Sequence, residues 1–140
     1  MAIKMTKFGG SSMADAAQFR KVKAIILADP ARQFVVPSAP GKRFPGDDKV
    51  TDLLYLCYAQ QAEGVPFDDT FDAITARYVE IERELGLSTD IASELRAIRR
   101  NLEDGASEDY MASRGEYLNS KLLAAYLGVP FIDAAQMVLF

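Results

Sequence analysis

Two adjacent glycines, preceded by a lysine, stand between an alternating run and a helical one in KMTKFGGSSMAD, residues 4–15. This junction constrains the fold more than any other stretch of the chain. Residues 2–8 alternate as a strand does, with Ile3, Met5 and Lys7 on one face and Lys4, Thr6 and Phe8 on the other. Gly9-Gly10 ends the strand, and Ser11 or Ser12 is placed to cap a helix, with Asp15 as an acidic first-turn partner. Phe19, Val22 and Ile26 form the apolar stripe of that helix, and Asp29-Pro30 stops it. A second strand follows in QFVVPSA, curtailed by Pro37, which cannot donate to a ladder.

PSAPGKRFPGDDK reads as a long loop, of the kind that is usually functional or mobile in a compact domain. A helix resumes near Val50, with Leu53, Leu54 and Cys57 inward, and ends near Gly64. Three helices then fill residues 67–127, with Gly86, Gly105 and Gly128 as their C-terminal stops. Phe71, Ile74, Tyr78, Ile81 and Leu85 keep helical spacing, as a core-facing stripe or a partner surface would. PFIDAAQMVLF begins as a third strand. This order gives an α/β fold with a mostly parallel sheet and a helical excursion. Three strands make a thin sheet, and the run MVLF has no polar cap, which suggests part of a larger domain.

Composition narrows the chemistry. The 140 residues are 49% hydrophobic and 26% charged, enough for one globular domain with a sizeable core. A net charge of −4 argues against nucleic acid as a partner, since phosphates require a basic face. No run approaches a membrane span, and the N-terminus has no signal-peptide pattern, so a cytoplasmic protein with no membrane partner is expected. The single cysteine, Cys57, excludes an internal disulfide and reads as a buried thiol. Without histidine, neither the usual zinc sites nor a histidine triad can be built. Lysine, hydroxyls, carboxylates, arginine and backbone amides remain.

A glycine pair after a parallel strand permits close approach to backbone N–H groups at a helix start, where the dipole favours an anion. Lys7 adds a positive charge at the carboxyl end of the strand, on the face of Ile3 and Met5, taken as inward. A plain Gly-Gly turn beside a solvated lysine fits the same spacing. The pattern is not a P-loop, since the lysine precedes the glycines. Four phrases in order, KFGGSS, VVPSAPGKR, KVTDLLY and SRGEYLNSKLLAAYL, resemble aspartokinase across essentially the whole chain.

That resemblance implies an amino-acid-kinase-like three-layer sandwich of which residues 1–140 form the N-terminal, acceptor-binding portion. The nucleotide-binding half and the regulatory ACT domains would lie outside it. The implied reaction moves the γ-phosphoryl group of ATP, with Mg2+, to the side-chain carboxylate of L-aspartate, in a homo-oligomeric enzyme. Lys7 then matches the lysine that neutralises phosphate oxygens. Gly9 and Gly10 match the backbone cradle, with Ser11 and Ser12 as hydroxyl and helix-start donors. Ser38 and Thr51 match substrate-holding hydroxyls, Thr51 opening its helix. The Gly115-Glu116 pair, opening a later helix, supplies a carboxylate for the substrate ammonium; helical spacing aligns Glu116 with Ser120, Leu123 and Leu127 on a stripe taken as inward. Turn or capping roles for the serines and for Thr51, and complementation of the helix dipole for Glu116, are the plain alternatives. Lys42 and Arg43 could reach an anion or be solvated, and the PGKRFPGDD loop departs from the commonest family form. A glutamate or acetylglutamate kinase, or a non-catalytic anion-binding module, are the competing functions.

Overall fold

The computed structural model describes residues 2–133. Two strands, β1 (Lys4–Phe8) and β2 (Arg32–Pro37), flank a short 3-10 turn at Gly10–Met13 and helix α1 (Ala16–Leu27). Four helices follow: α2 (Val50–Ala62), α3 (Asp68–Glu84), α4 (Ile91–Glu103) and α5 (Glu108–Leu127). The strands pair in parallel, with Met5 opposite Phe34, Lys7 opposite Val36 and Phe8 opposite Pro37. This is the expected α/β order with its helical excursion. The three helices between 67 and 127 fall where the glycine stops put them, and Gly86, Gly105 and Gly128 all have positive φ.

The helices gather on one face of the sheet. Phe8, Phe19, Val22, Leu54, Phe71, Ile74, Tyr78, Ile98, Leu118 and Leu122 belong to a single apolar cluster. Phe71, Ile74, Tyr78 and Ile81 are therefore core positions rather than a partner surface, and Leu85 packs on the rim. Leu54 and Cys57 are buried as expected, while Leu53 is only half-buried. Burial pushes the Cys57 thiol up to about 11, which makes it inert at neutral pH.

Three sequence-based expectations are corrected. The phase of β1 is inverted: Phe8 is buried, whereas Ile3 and Met5 are 63% and 73% exposed, and Lys7 is exposed with them. The alternation was legible, but the choice of face depends on which side the helices cover. Ser11 and Ser12 do not cap α1. They lie within the 3-10 turn, and Asp15 is the N-cap, its Oδ1 accepting from the Gln18 N–H at 3.0 Å. Finally, Val129–Asp133 form no strand, and the rest of the expected third strand lies outside the described residues.

Candidate functional site

The glycine turn, the loop after β2, the start of α2 and the middle of α5 meet around a cleft of about 490 Å3. Gly10, Ser11, Ser38, Thr51 and Glu116 line it, together with Ala39, Pro40, Gly41, Lys42 and Lys49. Six positions singled out from sequence, Lys42 among them, thus come together from four separate segments.

Backbone contacts of very small residues bring these segments so close. The Gly41 N–H donates to the Gly10 carbonyl at 2.8 Å, and a Cβ at Gly41 would stand 2.6 Å from the Gly10 carbonyl carbon. Across the cleft, a Cβ at Gly115 would stand 2.7 Å from the Ala39 Cβ. Gly115 therefore lets α5 press against the loop, while the Tyr78 hydroxyl donates to its carbonyl at 2.8 Å. The Ser38 N–H donates to the Phe8 carbonyl at 2.9 Å, extending the ladder by one rung. The Ser38 carbonyl accepts from Asn119 Nδ2 at 2.8 Å. Its backbone is held from both sides, and its side chain lies on the cleft wall.

Helix α2 starts without a side-chain cap, and Thr51 occupies its first turn rather than the capping position, which Lys49 holds. This removes the N-capping alternative for Thr51. The first-turn amides and the charges of Lys42 and Lys49 make this end of the cleft electropositive. Glu116 faces it from α5. It does not belong to a buried stripe: it is exposed, and the buried face of α5 runs through Met111, Gly115, Leu118, Asn119, Leu122 and Leu123. Nor does the Gly115-Glu116 pair open the helix, which starts at Glu108, so dipole complementation is not its role.

Lys7, Gly9 and Ser12 do not line the cleft. Lys7 is exposed at the carboxyl end of β1, and nothing lies within 4 Å of where a Gly9 Cβ would be. Arg43 is committed elsewhere: it forms a two-pronged pair with Asp47, at 2.7 and 3.0 Å, and lies 3.8 Å from Glu80. The Arg43 guanidinium holds the Asp47 carboxyl well below the usual carboxylate range. Reading the sequence missed Lys49, whose only signal is its position just before the apolar start of α2. It also missed Asn119 and Arg77, two buried polar side chains that hold the cleft from behind.

No family model matches the chain. Over 130 residues it is 41% identical to aspartokinase 3 of Bacillus subtilis (strain 168), a match covering 89% of this chain and 29% of that protein. The crystal structure of the aspartate kinase of Clostridium acetobutylicum superimposes with a TM-score of 0.93 at 57% identity, over 96% of this chain and 31% of that one. The homologues of this chain are aspartokinases. Aspartokinase III of E. coli, solved in complex with aspartate and ADP, superimposes with a TM-score of 0.68 at 26% identity, over 90% of this chain and 29% of its own. The chain spans about 30% of the length of these aspartokinases.

Proposed function

We propose that the chain is the acceptor-binding portion of an aspartokinase catalytic domain, acting in transfer of the ATP γ-phosphoryl group to the side-chain carboxylate of L-aspartate. The observation that carries this reading is the convergence of Ser38, Thr51 and Glu116 on one cleft with the Gly10-Ser11 turn. Bacillus, Clostridium and E. coli aspartokinases as relatives, the last binding aspartate and ADP, support it.

In this reading each wall has a task. The uncapped first turn of α2, with Thr51 and Lys49, takes a carboxylate of the amino acid, and Ser38 orients the acceptor. Glu116 is the anionic group on the wall and pairs with the substrate ammonium. The Gly10-Ser11 amides receive phosphate oxygens. Gly9 leaves open the approach between them and Lys7, whose flexible ammonium swings in to neutralise charge on the transferring group. Ser12 supports the same turn through its N–H, which donates to the Gly9 carbonyl at 3.1 Å. ATP supplies the phosphoryl group, and Mg2+ travels with its phosphates. Among the described residues no three carboxylate, cysteine or histidine side chains cluster to hold a metal. A homo-oligomeric, cytoplasmic enzyme opening lysine, threonine and methionine synthesis is the part of the proposal that rests on kinship alone.

The test uses the complete kinase carrying this segment, with acceptor acids offered in turn and the acyl phosphate trapped by hydroxylamine. Aspartate is expected to be the best acceptor. Glu116→Gln should raise KM for aspartate, and Lys7→Ala should lower kcat by about 100-fold or more. Preference for glutamate or acetylglutamate would move the assignment to a sister kinase, and turnover indifferent to Lys7→Ala would leave only an anion-binding module.

A further inference from the structure

Arg77, 5% exposed on α3, is the one charged residue buried as a whole among the described residues, and the Asp47 side chain beside it is 8% exposed. A buried guanidinium must satisfy its donors locally or destabilise the fold. Here it does so on backbone rather than on a single carboxylate. Nη2 donates to the carbonyls of Gly41 at 2.7 Å and Ala14 at 3.1 Å. Nη1 donates to the carbonyl of Asp48 at 2.9 Å and lies 3.4 Å from Asp47 Oδ2.

Those three carbonyls have a topological meaning. Gly41 and Asp48 lie near the two ends of the loop between β2 and α2, whose neck is closed by the Val50 N–H donating to the Pro40 carbonyl at 3.0 Å. Ala14 directly follows the 3-10 turn that carries Gly10 and Ser11. One planar, five-donor group therefore ties the phosphate-side turn to both ends of the loop leading from Ser38 to Thr51. We propose that Arg77 is a positioning residue that sets the spacing between the Gly10-Ser11 turn and the Ser38–Thr51 wall, and so the alignment of acceptor with phosphoryl donor. This deepens the aspartokinase reading and rests on it for its kinetic consequence alone.

A lysine at 77 keeps the charge but cannot serve three divergent carbonyls with a fixed fork. In the complete kinase, Arg77→Lys is expected to lower kcat/KM for aspartate by about 100-fold, the cost of a misplacement near 1 Å, with KM for ATP little changed. Amide hydrogen exchange supplies the readout that general destabilisation would not give: Gly41 and Val50 should exchange faster in the variant while the amides of α3 and α5 keep their protection. A folded variant with kcat/KM for aspartate within about twofold of the parent would overturn the proposal, as would faster exchange spread evenly over the core. If Arg77→Lys does not fold, the unmodified enzyme decides. The Gly41 and Val50 amides must then be protected like those of α3, and loop-like exchange there refutes the positioning role. Should the enzyme ignore aspartate, the exchange result still judges Arg77, and only the assignment of substrate falls.

Discussion

Gly41 and Gly115 allow the cleft to close, and each is intolerant of a methyl group in a different way. A Cβ at Gly115 meets the Ala39 Cβ at 2.7 Å and Leu54 Cδ1 at 3.2 Å. Gly115→Ala would gain about 1 kcal/mol of helix propensity, but overpacking costs about 1–3 kcal/mol, so a net loss near 1 kcal/mol in urea unfolding is expected. At Gly41 the obstacle is the Gly10 backbone itself, which no rotamer change relieves. Gly41→Ala should therefore cost more and displace the turn, lowering stability and, on the proposed function, raising KM for aspartate in the complete kinase. Ser38, Thr51 and Glu116 were legible because hydroxyls and a carboxylate in recognisable phrases announce themselves. Arg77 and Asn119 were not, since their partners are backbone carbonyls up to 106 residues away, and a main-chain acceptor leaves no mark on sequence.

Helix starts show how local signals are read and misread. Asp15 caps α1, and the Ser107 hydroxyl caps α5, accepting from the Tyr110 N–H at 3.1 Å. Asp15→Ala and Ser107→Ala are each expected to cost about 1 kcal/mol by urea titration, whereas Ser11→Ala and Ser12→Ala should leave the midpoint nearly unmoved. The serines were plausible caps by residue type. The 3-10 turn they occupy delays α1 to Ala16, and that delay comes from docking the glycine turn on the loop. The loop itself carries a pH dependence. Asp47, paired with Arg43 and beside Arg77, is held well below its ordinary value, so its contribution is present above the unfolded value of about 3.9 and is lost as pH falls below it. Unfolding free energy measured from pH 6 to pH 2 should therefore drop less in Asp47→Asn than in the parent.

At the scale of the molecule, the described residues leave the Met5–Phe34 face of the sheet exposed. Met5, Phe34 and Val36 form an exposed apolar face, 73%, 48% and 39% accessible, next to a groove between β2 and α5 that Phe131 and Ile132 also line. Apolar surface beside a strand edge without a partner among the described residues drives association. The isolated chain is expected to elute from size exclusion at a volume that falls with rising concentration, and Phe34→Lys should suppress this; a concentration-independent monomer would refute the expectation. Sequence alone determined what is local or periodic: the strand–helix order, the three later helices and their glycine stops, the buried thiol, and the phrases whose residues meet at the candidate cleft. Tertiary structure decided what depends on which surfaces touch: the face of β1 that is inward, the rim position of Glu116 midway along α5, the commitment of Arg43 to Asp47, and the clasp of Arg77 on three distant carbonyls. Periodicity fixes the spacing of side chains within an element, but the direction in which they point is set by neighbours that the chain meets only after it folds.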